Sequence, residues 1–130
     1  MEALQAESRA ADDGTAQATG CWSAWFGHGV FDGPLKLYGR TDVNWCGDGM
    51  WVTHTSSGCS GVDGGYPTYE YLGCDNREEY GVGWNVFEVW SQWHLCIAWI
   101  PPWPGCVSNQ DPWAEYQFGG GGGMAKIAGS

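Results

Sequence analysis

Residues 35–55, LKLYGRTDVNWCGDGMWVTHT, constrain the fold most. Two strand-like runs meet there at Asp48-Gly49. That dipeptide suits a two-residue β-hairpin loop, because a type I′ turn needs positive φ at both central residues. With Asp48 and Gly49 as the loop, Cys46 is expected opposite Trp51, Trp45 opposite Val52, and Asn44 opposite Thr53. Leu35, Leu37, Thr41, Val43 and Trp45 share one face of the incoming strand. Lys36, Tyr38, Arg40, Asp42 and Asn44 share the other. Such alternation marks an antiparallel strand with one face buried.

The rest of the chain agrees with a β fold. Its 130 residues suit one domain and include 22 Gly, 10 Trp, 6 Tyr and only 5 Lys+Arg. Glycine and aromatics in alternation favour turns and pleated surfaces over helices. No stretch sustains an apolar period of 3.6. The expected class is all-β, an antiparallel sandwich or small barrel stapled by disulfides. Cys21, Cys46, Cys59, Cys74, Cys96 and Cys106 are even in number and widely spaced. Three bridges in an oxidising compartment follow, with buried free thiols in a cytosolic protein as the alternative. Six cysteines allow about fifteen connectivities, so the pairing is open. A Cys59–Cys74 bridge would tie two neighbouring loops locally.

The formal net charge is −10, which argues against nucleic acid and anionic membranes as partners. No apolar run approaches the ~18 residues a spanning helix needs, so no membrane insertion is expected. Met1 precedes a polar stretch with neither a basic n-region nor an apolar h-region. The chain is therefore read as a mature form whose leader has been removed, located outside the cell or on its surface.

Three regions are expected in order. Residues 1–20 form an N-terminal tail, helical by local propensity, or an exchanged strand. Within it Thr15, Gln17 and Thr19 alternate with Ala16 and Ala18 and suit docking along a sheet edge. Residues 21–118 form the stapled body. Its first strand, 21–31, reads as broken at the glycines, and 55–65 reads as a Gly/Ser loop. Residues 66–72 read as a short strand carrying Tyr69 and Tyr71, followed by an acidic loop from Cys74. Residues 84–100 are apolar at both parities, which implies burial on both sides or a bend near Ser91-Gln92; a buried helix is the rival. Residues 101–112 read as a rigid Pro-rich connection, and 113–118 as a last strand with Ala114, Tyr116 and Phe118 inward. Residues 119–130 are a hinge of five glycines and a small apolar segment containing Met124 and Ile127.

Chemistry-bearing constellations are sparse. Cys46, His54, His94 and Cys96 lack the paired spacing of a zinc site, and Asp75, Asn76, Glu78 and Glu79 lack the calcium-loop pattern. Of the strand carboxylates Glu70, Glu88 and Glu115, Glu88, between Phe87 and Val89, stands out as a candidate acid catalyst, with Arg40 or Arg77 as candidate ion-pair partners. No nucleophile elbow or His-Glu-x-x-His motif occurs, so neither an enzyme nor a cofactor is expected. Tryptophans beyond the needs of a core suggest sugar stacking, with Trp103 between Pro102 and Pro104 as one contact and Tyr69 and Tyr71 as another.

Cys21-Trp22, Trp45-Cys46-Gly47-Asp48-Gly49, the Trp/Phe-rich strand with Cys96, Pro112 and the Gly-rich end resemble small secreted proteins of Gram-positive bacteria. A Trp-Cys-x-Asp-Gly hairpin recurs in that group. The resemblance covers about residues 21–120 and implies secretion and a β fold, with no functional residues carried over. Cys59, Cys74, Cys106 and both terminal segments lie outside it. Two functions are expected. The first is a structural subunit of an extracellular filament, a homopolymer in which a terminal strand completes the next copy through residues such as Thr15, Gln17, Thr19, Met124 and Ile127. The alternative is a carbohydrate-binding or adhesive module with glycans as partners.

Overall fold

The computed structural model describes residues 2–10, 19–32, 35–63, 69–98 and 106–130. The described residues form nine strands: β1 (Glu2–Ala10), β2 (Thr19–Asp32), β3 (Leu35–Asp48), β4 (Val52–Val62), β5 (Glu70–Tyr80), β6 (Val86–Cys96), β7 (Asn109–Gln110), β8 (Trp113–Gly119) and β9 (Met124–Gly129). The described residues contain no helix. One antiparallel sheet runs β1-β2-β3-β4. The other runs β5-β6-β8-β9, with β7 also pairing β6. The sheets do not close into a barrel; they pack as a sandwich.

The inward face of β3 is as its sequence dictates: Leu37, Thr41, Val43 and Trp45 are fully buried. They meet Phe87, Val89, Trp93, Leu95, Ala114 and Phe118 from the facing sheet. Burying a large apolar side chain stabilises by about 1.5–3 kcal/mol, so this cluster dominates the fold's stability. Aromatic edges interlock across the layer, with Trp45 and Phe118 centroids 4.8 Å apart and Phe26 and Tyr116 centroids 4.4 Å apart. β4 lies over β5, where Cys59–Cys74 joins the sheets. The terminal strands β1 and β9 therefore form the opposite margin. The other bridges are Cys21–Cys46, across the directly paired β2 and β3, and Cys96–Cys106.

Several expectations are corrected. The hairpin is not a two-residue turn: Trp45 pairs Thr55, Cys46 pairs His54, and a bulge precedes Gly47 opposite Val52. Asp48 folds back on itself, its carboxylate accepting the N–H groups of Met50 and Trp51, which lengthens the loop. β2 is continuous, because Gly27 and Gly29 sit where a Cβ would strike the backbone or Cβ of β3. Residues 55–62 are strand rather than loop; small side chains there let β4 approach β5, and Gly61 lies against the Tyr71 ring. The acidic stretch after Cys74 is β5, and its polar inward residues are bonded: Asn76 donates to Ser57 and accepts from Ser91. Ser91 in turn accepts a 2.6 Å bond from the buried Thr41 hydroxyl. β6 is one strand with alternating burial and no bend at Ser91-Gln92, since the outward Trp90 is covered by the Arg77 guanidinium. Residues 2–10 take a backbone place in the sheet rather than a tail or helix, because pairing with β2 satisfies every second amide in a way a short helix in water cannot.

Candidate functional site

One end of the sandwich is built from three chain reversals locked to each other through main-chain bonds. Asp48 sits at the first. Its carboxylate accepts from Trp51 N at 2.8 Å and Met50 N at 3.1 Å, which holds its pKa below the ordinary carboxylate value. Gly49, at φ 102°, takes a conformation that side chains resist. It donates to Gly120 O in the β8–β9 turn, and Gly120 donates to Asn85 O in the β5–β6 turn. Val52 N donates to Trp84 O at 2.7 Å, and Gly83 N donates to Val52 O. The Trp45 indole, rooted in the core, donates to Gly119 O at 2.9 Å. The expected glycine hinge is thus a packed turn: a Cβ on Gly120 would come within 2.4 Å of Met50 O, and one on Gly47 within 2.1 Å of Gly120 O.

This rigid base displays aromatic side chains to solvent. Trp51 is 48% exposed, Tyr80 55% and Trp84 54%, beside exposed Met50 and Val82. The Tyr80 and Trp84 rings lie 5.0 Å apart, inclined at 59°. Tyr80 holds φ 67°, a region a bulky residue avoids unless its surroundings impose it. A monomer leaves few clustered large apolar groups in water, and Trp and Tyr pair a flat apolar face with a polar tip. The arrangement can stack against the C–H face of a sugar ring.

The sequence singled out other residues. Tyr69 and Tyr71 pack against the core, and the Tyr71 hydroxyl is buried without a partner, its pKa raised by burial. Neither forms a free platform. Trp103, Thr15 and Gln17 lie outside the described residues. Thr19 begins β2 and donates to Asp48 O. On β9, Met124 packs against the core and Ile127 is exposed. Glu88 sits on the outer face of β6, directly across from Glu79, and Arg77 pairs with Glu79 rather than Glu88. Arg40 pairs with Asp42. Cys46 and Cys96 are held in disulfides. The sequence reading missed Trp51, Tyr80 and Trp84. The available signal was an aromatic beside each of two glycine-containing reversals, Asp48-Gly49-Met50-Trp51 and Tyr80-Gly81-Val82-Gly83-Trp84.

The opposite half of the sandwich carries two histidines in contrasting settings. His94 lies between two carboxylates, Nε2 at 2.8 Å from Asp75 Oδ2 and Nδ1 at 2.8 Å from Asp111 Oδ1. The Asp75 bond foremost, then the Asp111 bond, raises its pKa. His28 is only 3% exposed, and neither ring nitrogen has a hydrogen-bond partner. Burial foremost, then the charge of Lys126, lowers its pKa.

No family model, curated protein or solved structure matches this chain. Three disulfides fit an extracellular or otherwise oxidising environment, and no helix among the described residues is long and apolar enough to cross a membrane.

Proposed function

We propose that this chain is a secreted carbohydrate-binding or adhesive module that engages neutral pyranose sugars through Trp51, Tyr80 and Trp84. The observation that carries the reading is a set of half-exposed rings on reversals cross-bonded through Val52, Trp84, Gly49 and Gly120. Reversals locked in advance lose little backbone freedom on binding, which lowers the cost of capture. A net charge of −10 disfavours polyanionic glycans and leaves neutral ones as the fitting class. The test is a glycan array with the oxidised protein, followed by calorimetry on the best ligand. Trp51→Ala and Trp84→Ala are each expected to weaken binding at least tenfold, about 1.4 kcal/mol. An array with no neutral-glycan signal, or full affinity in both variants, would defeat the proposal.

A second reading keeps the chain as a subunit of an extracellular filament joined by terminal-strand exchange. It is favoured by one feature: β1 and β9 are both outermost strands, and every disulfide falls within residues 21–106. Because the glycine turn before β9 is packed, exchange in this reading belongs to β1. Negative-stain microscopy and size-exclusion chromatography test it. Fibres or an oligomer ladder that vanish on deleting residues 1–20, leaving a folded monomer, support it. A full-length monomer of 14.1 kDa at every concentration rejects it.

A further inference from the structure

We infer that His28 makes the terminal-strand margin of the sandwich acid-labile, so that protonation of its buried imidazole loosens β1 and β9 while the rest of the sandwich stays closed. His28 lies on the inward face of β2, between Ala3 of β1 and Gly39 of β3. Across the interlayer space the Trp93 ring of β6 stands 6.0 Å away. A pocket beside it is lined by Gln110, Asp111, Pro112 and Ser130. The charges acting on it are Lys126 of β9 and the N-terminal ammonium, with Asp111, between β7 and β8, on the wall of the same pocket. Its backbone partners Ala3 and Gly39 bring none.

The physics points one way. A neutral imidazole without hydrogen bonds is already poorly placed in an apolar layer. An imidazolium there is worse, because it is desolvated, has no acceptor on either nitrogen and faces the like charge of Lys126. Asp111, the nearby carboxylate, is already bonded to His94. The unfolded or opened margin accepts a proton at the ordinary value of 6.5, and the closed one accepts it only at lower pH. Stability of the margin is therefore full above that value and falls as pH drops below it. The strands that can yield without unfolding the core are those at the free margin, β1 and β9, since β3 and β6 are central and β4 and β5 are cross-linked.

Hydrogen exchange at pH 7.0 and 5.0, expressed as protection factors on the intact oxidised protein, tests this. Protection in β1 and β9 is expected to fall at least about threefold at pH 5.0 relative to pH 7.0, because the closed margin binds the proton less readily than the opened one. Amides of Leu37 and Val43 in β3 are expected to hold. In His28→Phe the margin should lose its pH dependence. Equal acid loss in that variant, or none in the wild type, overturns the inference. Should His28→Phe fail to fold, NMR titration of the wild-type imidazole decides: titration at or above pH 6.5 overturns it, and titration at lower pH together with the margin's loss of protection supports it.

Discussion

The two ends of the sandwich are held by different physics. The aromatic end is tied by main-chain bonds between three reversals and by glycines packed against carbonyls. There Asp48 is pushed further into its ionised form by the two N–H groups its carboxylate accepts. The other half carries His94, which favours a proton, and His28, which resists one. The first end suits a fixed recognition surface, because its reversals are cross-bonded through main-chain groups that carry no titratable proton in this range. The second responds to pH in both directions. A chain can thus keep one surface rigid while leaving another margin responsive, provided the first is locked by main-chain bonds.

The sharpest break of this contrast is steric. Gly120→Ala places a methyl 2.4 Å from Met50 O, so something in the backbone must move. Overpacking of this kind costs about 1–3 kcal/mol, and chemical denaturation should show a loss in that range. Gly58→Ala, where nothing lies within 4 Å of the new Cβ, is the matched control and should change stability by less than ~0.5 kcal/mol. Equal effects at both positions would mean that the aromatic end is not locked.

The histidine clasp gives a smaller, pH-dependent effect. Because the pKa of His94 is raised, its contribution is fully present below the unfolded value of 6.5 and is lost as pH rises through the folded value. His94 and its partners are more than a third exposed on average, so screening limits the contribution to ~0.5–1 kcal/mol. Wild type should exceed His94→Ala in stability by that amount at pH 6, and the gap should close well above neutrality. A gap that widens with pH contradicts the clasp. Smallest of all, Trp84→Ala should alter folding stability by less than ~0.5 kcal/mol while reducing sugar binding, because its ring is half exposed. A large stability loss would recast Trp84 as a structural residue.

Much of the fold was legible where one face is apolar. β3 and β8 show their inward residues by strict alternation, and Leu37, Val43, Trp45, Ala114 and Phe118 all lie in the core. The Cys59–Cys74 bridge was also readable, since the two cysteines lie in neighbouring segments. Where both faces are polar the pattern vanished. Most of β4 and the part of β5 from Cys74 on are held by Ser57, Asn76, Ser91 and a disulfide rather than by an apolar stripe, so those stretches read as loops. The hairpin register was missed because a side-chain carboxylate captured two backbone N–H groups that a tight turn would have left to the ladder. The glycine run read as a hinge because its fixing contacts, with Asn85, Gly49 and Trp45, come from residues 34 or more positions away in the chain. The candidate site escaped for a related reason: exposure of Trp51, Tyr80 and Trp84 depends on which reversals meet at one end, and only the folded topology decides that.

The most direct test is an NMR titration of the oxidised, 15N-labelled protein with the best neutral oligosaccharide from the array. Indole Nε1–H signals separate the tryptophans one by one. The account expects the Trp51 and Trp84 signals to shift in a saturable way while those of the buried Trp45 and Trp93 stay in place. Saturable shifts confined to other tryptophans, with Trp51 and Trp84 unmoved, would contradict a sugar site at the aromatic end.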